Sequence, residues 1–143
     1  FIQGLGPEPK DLTLLKFQDM LAGKKTKIKP LLMDQKFISG IGNLYAAEIL
    51  FAAKINPEKR ANSLSNKEKE RLYNAMRSVL DAAIKHGGSS IDDYLRLSGA
   101  KGEYKKYHKV YGREGKPCFI CKSLIKRSVL GGRGTYFCPK CQR

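Results

Sequence analysis

Apolar residues in this chain recur mainly at helical spacing, and the stretches suited to strands come only near its end. Phe1 to Pro9 reads as irregular chain, broken by Gly4, Gly6, Pro7 and Pro9. Leu12, Leu15 and Met20, widened by Leu14 and Phe17, predict a helix over 11–21. The lysine-rich stretch 24–30 reads as a basic linker stopped by Pro30. A short helix is expected over 31–38 and a second over 44–53, with Leu44, Ala47, Ile49 and Leu50 on or near its apolar face. Between them Ser39-Gly40-Ile41-Gly42-Asn43 reads as a tight turn, with Asn43 where an N-cap belongs. Two short helices about a glycine turn make a motif of the helix–turn–helix type.

Further along, Ser65 and Glu68 have the spacing of a capping box, which opens the longest helix. Leu72, Ala75, Met76, Val79, Leu80, Ala83 and Ile84 carry its apolar face to about His86, and Gly87-Gly88 ends it. One more short helix is expected over 90–97, then a polar, glycine-containing loop to Tyr104, with 107–113 leading out. Stretches 124–130 and 135–137 are expected to pair as a hairpin with Gly131-Gly132-Arg133-Gly134 at its tip.

Charge changes this picture more than composition does. At 143 residues and 41% hydrophobic, the chain has material for one packed domain, or a small domain with an appendage. A net charge of +15 far exceeds what solubility needs. A generally basic surface is the plainer reading; attraction to a polyanion is the sharper one. Nucleic acid is favoured over a membrane, because the sequence has no apolar run of 18 residues and no signal or lipidation pattern.

The four cysteines fall within the last 26 residues as Cys118-x2-Cys121 and Cys138-x2-Cys141, separated by 16 residues. Each pair can clamp one side of a tetrahedral ion, and the hairpin would bring the pairs together. Four thiolates close the coordination shell, so the expected metal is one structural zinc ion with no open position. Two disulfides, reduced spare thiols or a redox pair are the alternatives, and a reducing compartment suits the zinc reading better. The segment from Arg113 onward has too little apolar material to fold without the metal. Arg133, flanked by glycines and close to Lys126 and Arg127, is either a solvated turn residue or a fork for phosphate. His86 and His108 stand apart from the cysteines and read as surface or helix-end groups. Tyr45, Tyr104, Tyr107 and Tyr111 are possible stacking residues or ordinary core.

Several segments, in order along nearly the whole chain, together resemble the C-terminal half of bacterial formamidopyrimidine-DNA glycosylases of the Fpg/Nei family. They are Leu5-Gly-Pro-Glu-Pro9, Ile28-Lys-Pro-Leu-Leu-Met-Asp-Gln35, Gly40-Ile-Gly-Asn-Leu-Tyr-Ala46, Val110-Tyr-Gly-Arg113 with Pro117-Cys118, and the run Arg133 to Gln142. The form of the Gly40 to Ala46 segment looks like the formamidopyrimidine branch rather than the endonuclease VIII branch. The resemblance implies a mainly α fold: a linker over 1–9, a helix–two-turn–helix domain over 10–112, and a four-cysteine zinc β-hairpin over 113–143. It implies that Asn43, with nearby backbone amides such as that of Gly42, holds a DNA phosphate; plain N-capping by Asn43 is the other reading. Arg133 would reach the DNA backbone, and Lys29 would be a weaker phosphate contact. Ser98, Gly99, Ala100, Lys101, Gly102, Glu103 and Tyr104 match the loop that folds over an extruded damaged base. Glu48 reads as structural.

The implied activity is excision of oxidised purines such as 8-oxoguanine and formamidopyrimidines, with strand cleavage at abasic sites, in base-excision repair. The implied setting is a monomer on double-stranded DNA in the bacterial cytoplasm, at the nucleoid. The family reaction uses an N-terminal proline amine to attack the sugar, assisted by a glutamate. This chain opens with Phe1-Ile2, and its Pro7-Glu8 pair is internal, so the expectation is that the chain alone is inactive. A free-standing zinc-dependent DNA-binding module without activity is the alternative.

Overall fold

The computed structural model describes residues 4–85 and 108–143. Expectations for 90–97, for the loop from Ser98 to Tyr104, and for His86, Tyr104 and Tyr107 lie outside the described residues. The helices are α1 (Leu14–Ala22), α2 (Ile28–Leu32), α3 (Asn43–Ala53) and α4 (Asn66–Lys85), followed by strands β1 (Lys126–Leu130) and β2 (Arg133–Phe137). The fold is therefore mainly helical, closed by a small antiparallel hairpin.

Helix α1 starts later than its periodicity suggests. Pro9–Asp11 form a 3-10 turn, and the Thr13 hydroxyl then caps α1 by accepting from the Lys16 N–H at 3.2 Å. Phe17 and Leu21 turn inward, while Leu15 is 79% exposed. The expected basic linker is cut short, because α2 already begins at Ile28. Pro30 sits in its first turn, where an N–H has no helical partner in any case. The N–H groups of Ile28 and Lys29 donate instead to the carbonyls of Lys59 (2.6 Å) and Pro57 (3.2 Å). The helix expected over 31–38 is not formed. After α2 ends at Leu32 the chain continues as turns, with Phe37 and Ile38 N–H both bonded to the Asp34 carbonyl.

Helix α3 is the central element. All its residues but Ala52 are buried, so its sequence shows little amphipathic contrast. It packs chiefly against α4 on one side and β2 on another. Around it lies one core that includes Phe17, Leu21, Ile28, Leu32, Ile38, Ile41, Ile49, Leu50, Leu72 and Met76. The capping box of α4 is present: Ser65 Oγ accepts from Glu68 N–H at 3.1 Å, and Glu68 accepts from Ser65 N–H at 2.9 Å. Near the end of α4, Ile84 departs from the expected face and is 59% exposed.

The hairpin is a two-residue one. Gly131 (φ 61°) and Gly132 (φ 76°) alone form the turn, and both positive φ values match the right-handed twist of the flanking strands. Arg133 is thus not at the tip but opens β2, paired with Leu130. A second small core of Val110, Cys118, Ile125 and Cys138 fills the hairpin region and takes in Ala47 and Phe51 from α3.

Candidate nucleic-acid interface

The four sulfurs of Cys118, Cys121, Cys138 and Cys141 all lie within 4.8 Å of one another. Cys118 and Cys141 are 3.8 Å apart and Cys121 and Cys138 are 3.4 Å apart. Ligands about 2.3 Å from a tetrahedral zinc ion stand roughly 3.8 Å from each other, so the set fits the ion. The spacing is too long for disulfides, whose sulfurs lie about 2.05 Å apart. Burial and the neighbouring sulfurs push the Cys141 thiol up to about 12, whereas hydrogen bonding to Ser123 brings Cys121 down to about 6. Closing a metal shell there expels the remaining protons, and the ion supplies folding energy as it does so.

The finger and the segment 109–111 that leads into it are tied at three levels to α3 and the residues just after it. At the C-terminal end, the buried Gln142 accepts from Cys138 N–H at 2.8 Å and donates to the Ile55 carbonyl at 3.0 Å. Midway, the buried Glu48 carboxylate accepts from the N–H groups of Lys109 (2.7 Å), Val110 (3.0 Å) and Tyr111 (2.9 Å). Burial raises the Glu48 pKa, against the pull of those donors. At the N-terminal end, Asn43 meets β2: its Nδ2 donates to the Gly134 carbonyl at 3.0 Å.

That last junction also holds Lys29, which is 1% exposed. Its ammonium donates to Asn43 Oδ1 (2.5 Å), Thr135 Oγ1 (2.9 Å) and the Gly134 carbonyl (3.3 Å). An ammonium has three N–H donors, and each has an acceptor here. Burial and the nearby Arg133 charge lower the Lys29 pKa to about 8. The lysine fixes the Asn43 amide as well: Oδ1 must face the ammonium, which turns the NH2 group away from it. One Nδ2 hydrogen goes to Gly134, leaving the other for a ligand.

Asn43 is therefore not the N-cap. Gly42 takes that position, and no side chain caps α3. The positive end of an eleven-residue helix is left uncapped beside an oriented amide donor. Arg133 is exposed beside it and makes no ion pair among the described residues. Such an arrangement suits a tetrahedral oxyanion.

Sequence reasoning pointed to Asn43, Gly42, Lys29, Arg133 and the cysteines, and the fold brings Asn43, Lys29 and Arg133 to one junction. It missed Thr135 and Gln142, because a threonine in a strand and a glutamine at a chain end carry no spacing signal. It also missed Gln35, whose Oε1 accepts from Gly40 N–H at 2.8 Å and whose Nε2 donates to the Ile41 carbonyl at 3.2 Å, shaping the glycine turn. His108 is buried edge-on against Tyr111 rather than at the surface. Tyr45 is buried, and half-buried Tyr111 packs edge-on against His108 and Tyr136.

A helix–turn–helix unit whose second helix is backed by a four-thiolate hairpin defines a helix–two-turn–helix protein with a zinc finger. Comparison with known families agrees: the formamidopyrimidine-DNA glycosylase H2TH domain matches residues 4–94, and the zinc finger found in FPG and IleRS matches 115–143. The chain belongs to the formamidopyrimidine-DNA glycosylase H2TH family. It is 45% identical to the formamidopyrimidine-DNA glycosylases of Listeria innocua, over 99% of this chain and 53% of that protein, and of Heliobacterium modesticaldum, over 97% and 51%. Among solved structures, it superposes on MutM (FPG) from Thermus thermophilus with a TM-score of 0.83 at 39% identity, covering 97% of this chain and 54% of the other. It also superposes on the Lactococcus lactis enzyme non-covalently bound to DNA containing an AP site, with a TM-score of 0.84 at 37% identity, covering 98% and 50%. The chain thus spans about half the length of the relatives it matches.

Proposed function

We propose that this chain is the DNA-holding part of a bifunctional DNA glycosylase/AP lyase that excises oxidised purines during base-excision repair in the bacterial nucleoid. The observation that carries this reading is the junction where Lys29 and Gly134 hold Asn43 beside Arg133. One phosphate between the uncapped end of α3, the free Nδ2 hydrogen of Asn43 and the Arg133 guanidinium would receive donors from both the helical region and the finger. The N–H groups after Gly42 contribute to the same seat. Lys29 adds positive charge behind it and sets the Asn43 amide, with its own donors already engaged.

The division into a linker over 1–9, a helical domain to 112 and a finger over 113–143 is part of the same reading. So is the assignment of Ser98 to Tyr104 to an extruded base, which rests on the family resemblance. The zinc ion acts as a scaffold for Arg133 and takes no part in bond cleavage. What the described residues contribute to this reading is grip on a phosphate.

The test is titration of duplex DNA carrying a tetrahydrofuran abasic analogue, followed by fluorescence anisotropy across a salt series. Arg133→Ala is expected to weaken binding about tenfold or more, with full zinc content and a shallower salt slope. Equal affinity and slope for the two proteins would remove the phosphate role.

A further inference from the structure

We infer that Thr135 is a positioning residue for phosphate binding: its hydroxyl links the buried Lys29 ammonium to the main chain of Arg133 and holds that arginine beside the Asn43 amide. This inference rests on the phosphate reading above.

The argument is an inventory of donors. Thr135 is 1% exposed, so water is not its partner. Its hydroxyl has one hydrogen to give and can accept in return. The Lys29 ammonium, 2.9 Å away, has no acceptor to offer, so the hydroxyl oxygen must accept from it. The hydroxyl hydrogen is thereby directed to its other neighbour, the Arg133 carbonyl at 3.1 Å. A charged partner on one side strengthens the bond on the other.

Arg133 needs such a tether. It follows directly on Gly131-Gly132, whose lack of side chains leaves the turn little intrinsic stiffness. Across the ladder Arg133 faces Leu130, next to that turn. The Arg133 side chain is exposed and makes no ion pair among the described residues, so among these it is the backbone of Arg133 that is held. The chain Asn43–Lys29–Thr135–Arg133 makes one rigid unit from α3, α2 and β2. A ligand phosphate then meets donors already in place rather than ordering them on arrival.

Two conservative changes separate this role from packing. Thr135→Val keeps the branched shape and loses the hydroxyl; Thr135→Ser keeps the hydroxyl and loses the methyl. Both are compared with the unmodified chain for zinc content, cooperative melting, and affinity for the tetrahydrofuran duplex at fixed salt. Thr135→Val is expected to bind roughly tenfold more weakly with zinc retained, and Thr135→Ser to stay within about twofold. In an Arg133→Ala background the extra loss from Thr135→Val should shrink to about twofold or less.

The reverse ranking, with Ser weak and Val normal, would assign Thr135 to packing and overturn the inference. So would an undiminished Val effect without Arg133, or a Val variant that loses zinc or its cooperative melt. If Arg133→Ala weakens binding while Thr135→Val does not, this inference fails and the phosphate reading stands. If the unmodified chain and Arg133→Ala bind alike, the phosphate reading itself fails.

Discussion

The helical region and the zinc finger are held together by different means. The helical region is an apolar assembly in which α3 packs against α4 and α2, α1 packs against α4, and the Phe37 to Ile41 turn joins the same core. The finger has only Ile125 and the two buried cysteines of its own, and it completes its core with Val110, just ahead of it in the chain, and with Ala47 and Phe51 of α3. One region is stabilised by area removed from water. The other depends on a metal shell and on polar ties to a helix outside it. The lesson is that the finger's geometry is set from two ends, the ion and α3, and that Arg133 lies at the edge farthest from the ion, where the ties to α3 matter most.

The largest effect that breaks this comparison is metal removal. Chelation, or Cys138→Ser, is expected to unfold 113–143 while the helical region keeps its structure. Amide NMR should then show collapse of finger resonances alone, and DNA affinity should fall at least as far as in Arg133→Ala. Loss of the helical resonances as well would mean that the two regions form one cooperative unit.

A smaller effect should come from the middle tie. Glu48→Gln keeps the shape but turns an NH2 group toward donors at Lys109, Val110 and Tyr111 that need an acceptor. Leaving such a donor unmet costs about 1–3 kcal/mol. Thermal unfolding should report that loss, with hydrogen exchange fastest at those amides. An unchanged melting temperature would show that the tie is dispensable.

The smallest effect concerns pH. The folded protein holds the Lys29 proton less tightly than the unfolded chain does, with a pKa of about 8 against 10.5. Between those values the unfolded state carries more protons, so Lys29 adds stability as pH rises through that window. A DNA phosphate bound beside the site, as proposed, would favour the charged form and raise the pKa, so binding would take up a proton. Affinity is therefore expected to be level below about pH 7 and to decline several-fold as pH rises past 8, since ordinary lysines titrate near 10.4. Lys29→Met should flatten that decline; an identical slope in the variant would place the titration elsewhere.

The sequence was most informative where one local rule had no competitor. The Ser65–Glu68 box, the paired CxxC motifs and the apolar stripe of α4 each depend on residues close along the chain. It misled where distant partners decided. The helix expected over 31–38 gave way to α2 at 28–32, because carbonyls near residue 58 accept the first donors of α2 and Pro30 needs no partner of its own. Asn43 has the composition of a cap, yet the Lys29 ammonium claims its oxygen and leaves Gly42 in the capping position. Leu15 and Ile84 fit apolar stripes but face outward, since nothing among the described residues packs over them.

By itself, then, the sequence determined that the chain is basic, mainly helical and closed by a four-cysteine hairpin, and it singled out Asn43, Lys29 and Arg133. Only the tertiary structure decided what those three do together. A buried ammonium with three acceptors comes from α2, α3 and β2 meeting at one point, and its partners Gly134 and Thr135 lie more than a hundred residues from Lys29 along the chain. Spacing along a chain encodes neighbours on one helix or one turn. It does not encode which donors are already spent when distant segments close on each other.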